Sequence, residues 1–140
     1  MSQTVVRKTI VIKGSQSDIY DACDKILCDL KTQNFEQDDI FGIHLAVGEA
    51  LINAARHGNK ADERKEIKID YFLTAQKFDI SIRDEGCGFD PEMVPDPRRN
   101  ENLLKSTGRG ILLMRSYMDS VEYIEKGNCV RMVKHKRHAN

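Results

Sequence analysis

Two short apolar alternations in the middle of the chain restrict its fold more than any other feature. Ile67, Ile69, Tyr71 and Leu73 recur at every second position, and after Thr74-Ala-Gln-Lys77 the same period resumes at Phe78, Ile80 and Ile82. A period of two sends successive side chains to opposite faces of a strand, so the segment reads as a hairpin with one buried face. A slip of one residue would turn the whole apolar set to water, which makes the pairing register strongly specified. Carried two residues further, the parity puts Asp84 on the buried side at the end of the strand. An acid there is either a costly misplacement or a ligand-binding group.

The flanking segments supply the other layers. Thr4 to Lys13 is β-rich, with Val6, Ile10 and Ile12 on one parity, and reads as an edge strand. Gly14 to Asp18 is a turn in which Ser15 or Ser17 can cap a helix. Ile19, Cys23, Ile26, Leu27 and Leu30 then recur at helical spacing to about Lys31. A second helix begins near Asn34, where Glu36, Asp38 and Asp39 meet the positive end of its dipole. Its buried stripe is Ile40, Ile43, Val47, Ala50, Leu51 and Ala54, and Gly58-Asn59 is its expected stop.

Beyond the hairpin, Asp90 to Thr107 carries three prolines and no periodicity, an 18-residue loop of the kind that forms lids. Ile111, Leu112, Met114, Arg115 and Met118 indicate a short helix. Two final strands, Ser120–Lys126 and Cys129–Lys134, are joined by the hairpin dipeptide Gly127-Asn128. The basic tail that follows reads as a solvated terminus. The order β-α-α-β-β-loop-α-β-β predicts an α+β sandwich: one mostly antiparallel sheet with helices on one face.

Residues 1–140 suit a single domain that buries roughly 68% of its unfolded surface. Lysine plus arginine and aspartate plus glutamate balance at 22 each, so no whole-molecule field favours nucleic acid or an anionic membrane. No apolar run approaches the roughly 20 residues of a bilayer span, and the N-terminus lacks a signal peptide's apolar block. Cys23, Cys28, Cys87 and Cys129 form no CxxC pair and read as reduced thiols, small core residues of a cytoplasmic protein.

Three blocks carry chemistry. In Glu49-Ala-Leu-Ile-Asn53, continuing to His57-Gly58-Asn59, a carboxylate and a carboxamide sit one helical turn apart on one face. Asn53 can offer a neutral oxygen to magnesium, which takes few protein ligands when phosphates and water supply the rest. Glu49 can orient or deprotonate an attacking hydroxyl, or the two can simply bond each other or Arg56 on a solvated face. In Asp84-Glu-Gly86-Cys-Gly88, a buried carboxylate can accept from the exocyclic amine of adenine, and the glycines admit a flat base. In Gly108-Arg109-Gly110, leading into a helix, backbone N–H groups suit phosphate. Neither a GxxxxGK loop nor a strand-linked GxGxxG is present.

Together these blocks resemble the N, G1 and G2 boxes of the GHKL ATPases, the superfamily of histidine kinases, DNA gyrase and large heat-shock chaperones. Leu45 to Gly58, Asp84 to Asp90 and Gly108 to Asp119 are most similar to RsbW-type anti-sigma-factor serine kinases, over roughly residues 35–135. The resemblance implies a Bergerat-type α/β sandwich that binds ATP with Mg²⁺ beneath a lid at about 90–107. It implies Asn53 as magnesium ligand, Glu49 as the base for a serine hydroxyl, and Asp84 with Gly86 and Gly88 at adenine. Gly108, Arg109 and Gly110 would serve the phosphates. Substrates in that family are serines on anti-anti-sigma (STAS) proteins, and its members are commonly homodimers that also sequester a sigma factor. Gly48 stands where those kinases often have serine. The leading expectation is therefore an ATP-dependent serine kinase; the alternative is a module that grips a partner without phosphorylating it. A Glu49 retained beside Asn53 favours the kinase, since a binder needs no base.

Overall fold

The computed structural model describes residues 5–86, 112–124 and 128–136. The sequence-predicted lid at 90–107, together with Cys87, Gly88, Gly108, Arg109 and Gly110, lies outside them. The elements run β1 (Val6–Lys13), α1 (Gln16–Thr32), α2 (Gln37–Asn53), a π-helical turn (Ala54–Gly58), β2 (Glu66–Leu73) and β3 (Lys77–Arg83). A short helix α3 (112–117), β4 (Ser120–Ile124) and β5 (Cys129–His135) complete the order.

The strands form one five-stranded sheet in the order β1-β2-β3-β5-β4, every pairing antiparallel. The central hairpin pairs Tyr71 with Ile80 and Ile69 with Ile82, so the two alternations fall on one face as their period requires. Ile67, Ile69, Leu73, Phe78 and Ile80 are fully buried there. Burying one such side chain contributes about 1.5–3 kcal/mol. Lys134 shares that face at the far end of β5, 7% exposed, with Nζ 3.8 Å from Oδ1 of the buried Asp39 at the start of α2. This ion pair ties the first turn of α2 to the sheet.

The helices lie on the apolar face. Ser15 caps α1, its hydroxyl accepting from the Asp18 N–H at 3.1 Å, and Ala22, Cys23, Ile26 and Leu30 form the buried stripe. The Tyr71 hydroxyl reaches across from β2 and donates to Asp29 of α1 at 2.6 Å. The α2 stripe is buried as its spacing predicts, with Ile43, Val47 and Leu51 at 0–1% exposure. Met114 and Met118 bury α3 against the same core. Tyr117 lies over Gly42 of α2, where a Cβ would come within 2.8 Å of the ring.

Two expectations are corrected. Cys28 is exposed rather than buried, because its place on α1 falls outside the stripe; Cys23 and Cys129 are core thiols. The α-helical geometry of α2 ends at Asn53 rather than at Gly58-Asn59. From there the Asn59 N–H donates to the Ala54 carbonyl at 2.8 Å, an i to i+5 bond that widens the last turn. The left-handed residues that reverse the chain are Lys60 (φ 52°) and Ala61 (φ 59°), neither of them glycine. Such positions cost about 1–3 kcal/mol each and concentrate at functional sites.

Candidate functional site

The C-terminal end of α2 and the end of β3 meet at one corner of the sandwich. Antiparallel pairing brings β3 out beside the start of β2, and α2 delivers its last turn to the same place. Asn53 is the last α-helical residue before the π-helical turn, and such turns are frequently functional. Its Oδ1 and Nδ2 atoms are both buried, and neither has a hydrogen-bond partner among the described residues. A buried carboxamide without partners costs about 1–3 kcal/mol. Its oxygen keeps an unused acceptor, a donor type that a hard cation takes as ligand.

Glu49 sits one turn earlier on α2, half-buried. It lies near Tyr123 of β4, whose phenol is pushed up to about 12, chiefly by burial. Arg115 of α3 opposes that rise and the negative charge of Glu49 adds to it, so the three side chains share one electrostatic neighbourhood. Tyr123 was not visible as a site residue in the sequence, since only packing brings β4 to α2.

Asp84 stands where strand parity put it, half-buried just past β3. Burial holds its carboxyl above the ordinary carboxylate value, while the Gly86 N–H and the charge of Lys65 pull the other way. The Gly86 N–H donates to Asp84 Oδ1 at 2.7 Å, closing the turn. Across from it, Gly58 comes so close that a Cβ there would fall 2.1 Å from Asp84 Oδ2. A Cβ on Gly86 would fall 2.0 Å from the Gly58 carbonyl oxygen. The two glycines therefore let α2's last turn and the Asp84 turn touch backbone to backbone.

The fold thus brings the end of the helix that carries Glu49 and Asn53 against the turn of Asp84 and Gly86, with Gly58 at the contact. Gly88, Gly108, Arg109 and Gly110 are not placed, being outside the described residues. Gly58 was read in sequence as a helix stop; its contact with Asp84 spans 26 positions and leaves no local signal. Among the described residues, no group of three or more His, Cys, Asp or Glu is arranged to hold a metal. No helix among them is long and apolar enough to cross a membrane.

A sheet backed by two long helices, with a carboxylate and an unpartnered carboxamide on one helix and a half-buried acid heading a glycine turn, defines an ATP-binding domain class. The chain belongs to the histidine kinase-like ATPase domain family, which matches residues 17–134. It is similar to the serine-protein kinase RsbW of Listeria monocytogenes, 30% identical over 108 residues, 72% of this chain and 69% of the relative. RsbW of Bacillus licheniformis is 32% identical over 71% of this chain and 67% of its own length. The anti-sigma F factor of Oceanobacillus iheyensis is 33% identical over 69% of this chain and 70% of its own. Among solved structures, the RsbU and RsbW domains of a Mycobacterium tuberculosis protein match 96% of this chain with a TM-score of 0.65. That match covers 34% of the longer chain at 14% identity, and it bears on fold alone.

Proposed function

We propose that the protein is an ATP-dependent serine/threonine kinase of the anti-sigma type, which phosphorylates a serine on an anti-anti-sigma (STAS) protein and sequesters a sigma factor. The observation that carries the reading is the pairing on α2: a half-buried carboxylate one turn before a carboxamide whose buried atoms have no partner among the described residues. The names of the relatives, serine-protein kinase RsbW and anti-sigma F factor, support the same activity and partners.

In this reading Asn53 would hold magnesium through its carboxamide oxygen beside the ATP phosphates. The cation, when bound, neutralises phosphate charge. Asp84 accepts from the adenine amine, and the absence of a side chain on Gly86 leaves room for the base. Glu49 takes the proton from the acceptor serine as its oxygen attacks the γ-phosphorus and ADP leaves. Gly88, Gly108, Arg109 and Gly110 are assigned to the base and phosphates. A homodimer in the cytoplasm completes the proposal.

The decisive experiment incubates the protein with labelled ATP, Mg²⁺ and a STAS partner encoded beside it, comparing the native chain with Glu49→Ala. Transfer to the partner that Glu49→Ala abolishes, with ATP binding kept, is the expected result. Tight ATP-dependent partner binding without any transfer would instead favour a module that grips its partner and does not phosphorylate it.

A further inference from the structure

Asn59 takes no part in the reading above, yet it is 1% exposed and its carboxamide is engaged at both ends. Oδ1 accepts from the backbone N–H of Glu85 at 2.7 Å, and Nδ2 donates to the Glu66 carbonyl at 3.1 Å. Its own N–H closes the π-helical turn on Ala54. Glu85 returns the connection, its carboxylate accepting from the Glu66 N–H at 2.5 Å. One buried side chain therefore joins three separate segments: the end of α2, the start of β2 and the turn after β3.

The peptide that Asn59 holds is the one directly after Asp84. The next N–H, of Gly86, is the donor that orients the Asp84 carboxylate. The Gly58 carbonyl, one residue before Asn59, packs against Gly86. With the Glu85 peptide released, the turn would keep the Asp84 N–H bond to the Asn128 carbonyl at 2.9 Å but lose the bond that fixes its far side against Gly58. A carboxamide suits this place because it supplies an acceptor and a donor at once, where an aspartate or leucine would leave a buried backbone group unpaired.

We infer that Asn59 is a positioning residue for base recognition, its carboxamide fixing the Asp84–Gly86 turn against the end of α2 and so setting the site's preference for adenine. The inference rests on the assignment of Asp84 to the base. The test measures ATP and GTP affinity by calorimetry for the native chain, Asn59→Ala, Asn59→Asp, Asp84→Asn and the double variant Asn59→Ala/Asp84→Asn. Asn59→Ala is expected to weaken ATP about tenfold and leave GTP nearly unchanged, which shrinks the preference for ATP. Asn59→Asp, which keeps the acceptor for the Glu85 N–H, is expected to retain most of that preference. In the Asp84→Asn background, Asn59→Ala is expected to add little, since the two act through one contact.

Equal weakening of ATP and GTP, or an unchanged preference, overturns the inference while leaving the base assignment standing. Loss of cooperative unfolding in both Asn59 variants overturns it in favour of a purely architectural role. Native ATP affinity in Asp84→Asn defeats the base assignment itself, and the inference with it.

Discussion

Gly58 and Asp84 lie so close that a single methyl group on the glycine would overlap the aspartate's Oδ2, at 2.1 Å. The acid is held from one side by its own turn and from the other by the bare backbone at the end of α2. The helix end that follows Asn53 and the turn of Asp84 and Gly86 are thereby packed as one piece.

Gly58→Ala is expected to displace the Asp84 carboxylate and leave the sandwich folded, since the alanine sits at a helix end with no left-handed backbone demand. ATP affinity should fall at least about tenfold, equivalent to ~1.4 kcal/mol. Calorimetric titration beside a far-ultraviolet spectrum checks both halves of the expectation.

Asp84→Asn is expected to trade binding for stability. Burial raises the native carboxyl above the ordinary carboxylate value, so this group favours the folded state at pH below that ordinary value. The contribution is lost as the pH rises through the raised native value. Removing the charge should therefore increase the nucleotide-free melting temperature at pH 7 and flatten its dependence on pH above 4. ATP should stabilise the variant far less than it stabilises the native chain. Melting scans from pH 4 to 8, with and without ATP, read both effects.

Asn53→Ala removes two buried polar atoms that have no partner among the described residues. The nucleotide-free protein should gain about 1 kcal/mol from the lost desolvation cost and from alanine's better helix propensity. The Mg²⁺ dependence of ATP binding should disappear with it. Denaturant titration gives the first quantity; binding with Mg²⁺ or with chelator gives the second.

Gly48 lies inside α2, and a Cβ built there meets nothing within 4 Å. Gly48→Ala should stabilise the fold by about 0.5–1 kcal/mol through helix propensity alone. Gly48→Ser should be accepted without loss of ATP binding, since the side chain meets open space. Chemical unfolding of the two variants against the native chain measures the gain.

Much of this architecture is legible locally. The alternations at Ile67–Leu73 and Phe78–Ile82 dictate a hairpin and, by parity alone, carry Asp84 to the inner side of the sheet. Helical spacing likewise separates the stripe of Ile43, Val47 and Leu51 from the neighbouring column of Glu49 and Asn53. Ser15 as a cap follows from its own chemistry. The exposure of Cys28 follows from the same spacing, which leaves it outside the α1 stripe, although its residue type favours the core. The π-helical turn is not legible: no local pattern in Ala54 to Gly58 marks it, and it accompanies the Asn59 bonds to Ala54, Glu66 and Glu85.

What the residue pattern alone carries is periodic: which faces of the strands and of α2 turn inward, and which helix column and strand end hold Glu49, Asn53 and Asp84. Those properties depend on neighbours two to four residues away. Only the tertiary structure decided that Gly58 abuts Asp84, that Asn59 clamps the turn between them, and that Tyr123 stands near Glu49. Each of these joins residues 26 or more positions apart. Such contacts arise when sheet register and helix packing close together, and no local pattern records them.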